Sequence, residues 1–212
     1  MQHNDNKKTM RVYHFTTCEI AKLILQGKRL KLSDIRNLND PFDFHVFKHR
    51  NEVDLGAWNN TINQLAPKFG TISFSANNTN PVQWSHYAES HKGICLGFDV
   101  ITSALKKVRY FSNRIKFPLR PKEKDIMKAF ITKYKHWQYE EEYRALVPKK
   151  ESDADGNFYL NFNHEIELKE VAIGYKSDIT NKELIPYIRD NDVNVYKAFP
   201  DENKFEMKLL QV

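Results

Sequence analysis

Glu140, Glu142 and Arg144 are spaced so that, on a β-strand, all three side chains would leave the same face. Two carboxylates on one face repel and raise each other's pKa unless a cation stands by, and Arg144 is placed to be that cation. Such a pair can divide acid–base work, or oppose positive charge that develops on a substrate. The stretch is Trp137-Gln138-Tyr139-Glu140-Glu141-Glu142-Tyr143-Arg144. Surface strand edges also carry such pairs. Three adjacent glutamates are nevertheless poor strand formers, so a strand that keeps them points to use of the acids.

Two further stretches combine groups that could bind a flat, polar ligand. In Tyr13-His14-Phe15-Thr16-Thr17 a histidine sits between aromatics just before a helix start. It reads either as a core histidine bonded to a backbone carbonyl or as a neutral imidazole for a hydroxyl or a phosphate edge. From Trp84 to Gly93 the chain carries Trp84, His86, Tyr87, His91 and Lys92. On a helix, Trp84, Tyr87 and His91 lie near one face, a ring platform beside polar donors. An amphipathic helix that buries Trp84 and Tyr87 gives the same pattern. His86 and His91 are five apart and miss the i, i+4 face of a helical zinc pair, so no metal is expected. The loop Asn37–Asp43 and the pair Ser73 and Ser75 are weaker candidates, usually turn chemistry.

These groups need a scaffold, and the chain has material for one. Of 212 residues 41% are hydrophobic, with 14 Phe and 10 Tyr, enough for a core. No apolar run approaches the length of a membrane span, and Met1–Arg11 lacks the apolar region of a secretory signal. The two cysteines form no CxxC pair, so the cytoplasm is the expected compartment. Between Ala104 and Lys150, fourteen Lys or Arg stand against five Asp or Glu, which gives this stretch +9 and leaves −3 for the rest of a chain at +6. A basic segment can attract phosphates, or can simply be a solvated face.

The pattern predicts a disordered tail over 1–10 and one α+β domain over 11–212. A strand spans Arg11–Phe15, and Thr17 caps a helix stopped by Gly27. A short strand spans Arg29–Leu32, a helix Glu52–Leu65 and a strand Gly70–Ser75. Asn77–Pro81 is a loop, Trp84–Ser90 a short helix and Gly93–Phe98 a buried strand, with Asp99 placed to cap a helix. Val108–Phe111 is a strand, Lys122–Tyr134 a helix and Gln138–Val147 a strand. Asp153–Asn157 is a turn. Val171–Tyr175 and Val193–Ala198 are strands around a helix at Lys182–Arg189, and Phe205–Leu210 ends the chain as a strand. Elements mix without regular βαβ alternation, which favours α+β over a doubly wound sheet.

Taken together, YHFT, LNDPFDF, FSA followed by WSHYAESHKGICLGF, and WQYEEEYR resemble a bacterial family of unknown function that shows these motifs in this order. The resemblance covers about Arg11 to Val147. That family in turn is similar to the ADP-ribosyltransferase superfamily. The resemblance implies a central, mainly antiparallel split sheet with flanking helices, and NAD as the bound cofactor. It places His14 and Thr16 on the first strand, Tyr87 or Ser75 in the middle segment, and Glu140 or Glu142 on a later strand. Trp84, Tyr87 and Arg144 complete the expected NAD-binding set. Glu142 is the expected catalytic carboxylate, with Glu140 second. A toxin or phage-defence role, an acceptor that is nucleic acid or protein, and a neutralising partner protein follow from the resemblance only.

Two other classes fit the residues. A non-catalytic nucleic-acid-binding module would use the basic segment Lys106 to Lys150 with Tyr110, Phe111, Phe117 and Tyr134 interleaved. A metal-dependent nuclease would use His86, His91, Glu140 and Glu142.

Overall fold

The computed structural model describes residues 8–188 and 192–212. The predicted tail lies mostly outside them, as does Arg189 of the predicted helix near the C-terminus. The chain begins with β1 (Thr9–Thr16), which takes in Thr9 and Met10, two residues expected in the tail. Next come α1 (Cys18–Gly27), β2 (Arg29–Lys31), β3 (Ser33–Asp34), β4 (Phe47–Lys48), α2 (Glu52–Leu65), β5 (Phe69–Ser75), α3 (Pro81–Tyr87) and β6 (Ile94–Ile101). The middle of the chain holds β7 (Lys106–Lys107), β8 (Arg109–Phe111), β9 (Ile115–Lys116), α4 (Glu123–Phe130), β10 (Thr132–Tyr134) and β11 (Glu142–Pro148). It closes with β12 (Tyr159–Asn161), β13 (Ile166–Ile173), α5 (Asn181–Ile188), β14 (Asn194–Pro200) and β15 (Met207–Gln211).

Nine strands form one curled sheet in the order β15-β14-β13-β6-β1-β5-β11-β7, with β3 on the side of β5. All its pairings are antiparallel except β13 with β14, which are joined through α5. The sheet is pinched in the middle. β1 pairs with β6 from Thr9 to Thr16, and β5 pairs with β11 from Phe69 to Ser75, but β1 meets β5 only at Tyr13 and Ser75. Beyond that point the two halves part, and the residues either side of the gap are those singled out from the sequence. Among the described residues no helix is long and apolar enough to cross a membrane.

Local chemistry explains most element ends. Thr17 Oγ1 accepts from Ile20 N at 3.2 Å and starts α1. The left-handed stop is Lys28, at φ 47°, rather than Gly27. Asn51 caps α2 through Asp54 N at 2.9 Å. Asn80 caps α3 with Pro81 in the first turn, so this helix begins and ends three residues earlier than its apolar pattern predicts. It is followed by Glu89, Ser90 and His91, all at positive φ. Asp99 caps nothing; it lies within β6 and accepts from Arg11 Nε at 2.7 Å. The helix expected to run to Tyr134 stops at Phe130, where Ile131 and Thr132, both β-branched, hand over to β10.

Apolar side chains pack in three groups. The largest fills the space between the sheet and helices α1 and α5, around Val12, Leu25, Leu96, Phe98 and Val171. A second gathers Trp58, Phe44, Phe47, Phe117 and Phe130 beneath α2 and α4. The third packs Trp84 against Cys95, Ala172 and Ala198 behind β1. Gly93, at the start of β6, ties this third group to the end of β1. A Cβ there would stand 2.2 Å from Thr16 O and 2.9 Å from the Ala88 backbone. Backbone cannot yield as a side chain can, so Gly93→Ala is expected to lower stability by about 2–3 kcal/mol in urea unfolding. A loss below about 0.5 kcal/mol would mean that the end of β1 is free to move.

Candidate active site

The carboxylate motif forms the floor of a cavity at the gap in the sheet. Glu142 opens β11, and Arg144 follows on the same face. Glu140 is not on this strand. It ends a 3-10 turn, Lys135–Glu140, and Glu141 between the two acids takes a left-handed conformation at φ 45°. A run of three glutamates resists strand geometry, and here the strand begins only at the third. The kink still delivers both flanking acids to one place: Glu140 and Glu142 are buried, 5% and 4% exposed. Glu141 points away, and its Oε1 accepts from Asn77 Nδ2 at 3.1 Å.

Two buried cations hold the acids. Lys133 Nζ donates to Glu140 Oε2 at 2.6 Å and to Glu142 Oε2 at 3.3 Å. Arg144 donates from Nε to Glu142 Oε1 at 2.6 Å, and from Nη2 to Glu142 Oε2 at 3.0 Å and to Asp43 Oδ1 at 2.8 Å. Its Nη1 donates to Phe130 O at 2.9 Å. Buried charges are costly unless paired and bonded, and each cation here meets that condition. With all five groups ionised, three carboxylates and two cations leave one net negative charge at the floor.

The two glutamates differ in acidity. Burial alone would raise the Glu142 carboxyl, but Arg144 and Lys133 outweigh it and hold it at about 2. Glu140 goes the other way: burial raises its carboxyl above the ordinary range, and the nearby Glu142 charge adds to this against the pull of Lys133. Pairs of acids pushed apart in this manner take different roles in catalysis.

The walls come from the other two motifs. Tyr87, the last residue of α3, donates its hydroxyl to Glu140 Oε1 and accepts from Asn39 Nδ2 at 2.9 Å. Burial and then the Glu140 charge raise this phenol far above its ordinary range, so it stays a donor. His14 on β1 donates from Nδ1 to Ser73 O at 3.1 Å, which spans the gap between β1 and β5. Burial lowers its pKa, so the ring is neutral near pH 7 and Nε2 is left as its acceptor. Tyr13, Phe15, Leu38 and Phe74 add apolar wall. The cavity holds about 140 Å³, near the size known to take one aromatic ring.

Other candidates do different work or lie elsewhere. Ser75 lines the cavity, but its hydroxyl donates to Asn77 O at 2.9 Å and accepts from Gln83 Nε2 at 3.0 Å, so it serves the loop after β5. Thr16 lies past the cavity at the end of β1, paired with Ile94. Trp84 is fully buried, donates from Nε1 to Asn78 O at 2.7 Å and meets Phe15 edge-on at 5.3 Å, which leaves no ring face for a ligand. The helix pattern that put Trp84, Tyr87 and His91 on one face fails because the helix has ended before His91. That residue lines a different cleft, beside Tyr175 and Lys176. His86 Nδ1 pairs with the Tyr139 hydroxyl at 2.8 Å. Among the described residues no three His, Cys, Asp or Glu side chains stand together as metal ligands, and His86 and His91 do not join the glutamates.

Lys133 is the residue the sequence conceals. It reads as one cation of a solvated helix, yet it is 4% exposed, bridges both acids and lies 4.8 Å from the Trp137 ring centre. No local pattern places it inward, since Thr132 and Lys133 beside each other on β10 are both buried. No protein-family model, curated protein or solved structure matches the chain.

Proposed function

We propose that the chain is an NAD-using enzyme of the ADP-ribosyltransferase kind, with the cavity at the gap between β1 and β5 taking the nicotinamide end of NAD. The observation that carries this reading is the convergence of His14, Tyr87, Glu140 and Glu142, from three separate stretches, on one ring-sized cavity. The residues fit the group: aromatic walls for a flat ring, a neutral imidazole acceptor for a sugar hydroxyl, and an anionic floor. A mainly antiparallel sheet that parts at its centre, with helices around it, agrees with the same reading.

Bound NAD supplies a nicotinamide–ribose bond whose cleavage builds positive charge on the sugar. Glu142, ionised at any working pH, would oppose that charge and lower the barrier electrostatically. Glu140, with its raised carboxyl, would take the proton from the acceptor. Tyr87 supplies ring surface and holds Glu140 in place. His14 Nε2 would accept from a ribose hydroxyl. Lys133 and Arg144 are positioning residues, since their polar atoms are engaged with carboxylates and a backbone carbonyl. A toxin or phage-defence setting with a neutralising partner protein belongs to the same proposal.

Calorimetry and thermal unfolding with added NAD test the reading. NAD is expected to bind saturably and to raise the unfolding temperature as its concentration passes Kd. No heat and no shift up to millimolar NAD would overturn it.

The acidity of Glu140 gives a second check. A group that must lose its proton to act limits activity on the acid side of its pKa. The acid limb of NAD turnover is therefore expected above the ordinary carboxylate range, and Glu140→Gln should abolish it. A limb at ordinary carboxylate pH, unmoved in Glu140→Gln, would assign the proton to another group.

A further inference from the structure

A second hollow lies next to the cavity and shares Lys133 with it. It holds about 380 Å³ and is bounded by Phe42 from the Asn37–Val46 loop, Phe111 from β8 and Tyr134 from β10. These three rings are large and apolar, yet 45%, 41% and 43% exposed. Arg114 lies over the Phe42 ring at 4.9 Å, and the His136 ring stacks on Tyr134 at 4.8 Å and 19°. The charged residues of the lining are Arg114 and Lys133, and none is acidic. Arg109 and Lys135, both exposed, flank it in sequence on β8 and after β10.

Exposed rings, one of them under an arginine, with no acid in the lining are the composition of a site that stacks bases and holds phosphates. A protein partner or lipid surface would be met by apolar area without the need for stacked arginine and histidine. We propose that this groove binds single-stranded nucleic acid, with a base laid on Phe111 or Tyr134 and the backbone held by Arg114 and its neighbours. The ring set differs from the one the sequence offers. Phe117 is buried in the second apolar group, and the Tyr110 hydroxyl accepts from Glu142 N at 2.8 Å, whereas Phe42 comes from a distant loop. Part of the basic segment is also unavailable: Lys133 and Arg144 are buried among carboxylates, and Lys149 Nζ donates to Ala66 O.

Lys133 forms a boundary shared with the cavity, so a strand in the groove lies beside Glu140 and Glu142. Its use as the acceptor rests on the proposed function, and its binding does not. As acceptor, a base or sugar heteroatom would give its proton to Glu140 and bond to the ribosyl carbon, while nicotinamide leaves.

The test is fluorescence anisotropy of the full chain, without NAD, using labelled single strands of DNA and of RNA about a dozen nucleotides long. Binding is expected to weaken with salt at a log–log slope of roughly −0.7 per phosphate held. Phe111→Ala and Tyr134→Ala are each expected to weaken it roughly 5- to 150-fold, with Arg114→Ala lowering the slope. Phe199→Ala, an exposed ring at the far side of the sheet, should leave it unchanged. No binding to either strand, or equal binding by all variants, overturns the groove, as does capture of a protein at these rings with no nucleic-acid binding. Binding as described in a chain that does not turn over NAD leaves the groove standing and removes the enzyme reading. NAD turnover without strand binding does the reverse.

Discussion

Replacement of Arg144 by methionine is expected to destabilise the chain by about 3–5 kcal/mol at pH 7, the usual cost of stranding a buried charge. Arg144 is 1% exposed and bonds Glu142 twice, Asp43 once and Phe130 O once. Methionine fills similar space but leaves two buried carboxylates without that partner. The pH dependence should change sign. In the native chain Glu142 titrates at about 2 against an ordinary 4.5, so its contribution is complete above 4.5 and fades as pH falls toward 2. Without Arg144, burial dominates and the Glu142 pKa rises, so the variant should regain stability as pH falls and the acid becomes neutral. Urea unfolding at pH 7 and near pH 4.5 reads both effects. A loss under 1 kcal/mol at pH 7, or a penalty that grows toward pH 4.5, would show that Arg144 is not what holds the acids.

Much of the scaffold is readable from local chemistry. Thr17 marks the start of α1 through its own side chain, and α2 has the bounds its pattern predicts. The buried run that begins at Ile94 makes a central strand, but one that continues to Ile101 and absorbs Asp99. The errors fall where tertiary pairing overrides local preference. The helix pattern over Lys122–Tyr134 ends early because Thr132–Tyr134 pairs with β8, a contact made across 20 residues. The left-handed turn at Glu89–His91 leads into the close approach of Gly93 to β1, and neither is carried by a local pattern. Tyr159–Asn161 and the first half of β13 were not among the expected strands, although Ile166-Glu167-Leu168-Lys169 alternates; they pair with β2 and β6.

The site divides in the same way. The placement of Glu140, Glu142 and Arg144 together, and of Glu141 apart, was legible from spacing, although a kink rather than a continuous strand achieves it. His14 and Tyr87 stood out by type. Trp84 was misleading, because a tryptophan suits a core and a ligand platform equally, and burial alone decides. Lys133, Gln83 and Asn39 gave little signal, since what makes them part of the site is a partner 7, 8 or 48 residues away.

The central claim is that the paired acids serve NAD cleavage, and NAD consumption by three single variants beside the native chain tests it most directly. Glu142→Gln keeps shape and most hydrogen bonding but removes the charge facing the sugar, so turnover is expected to fall by about 100-fold or more. It also weakens the pair with Arg144, so circular dichroism and urea unfolding must accompany the assay. Glu140→Gln should slow turnover too, with less effect on folding, because among the described residues Glu140 pairs with Lys133 alone whereas Glu142 pairs with both Arg144 and Lys133. Glu141→Gln should be near neutral, since that side chain is exposed and turned away. Loss in the first two variants with Glu141→Gln unaffected is the result the account predicts. Equal NAD consumption by all three folded variants, or loss confined to Glu141→Gln, would contradict it.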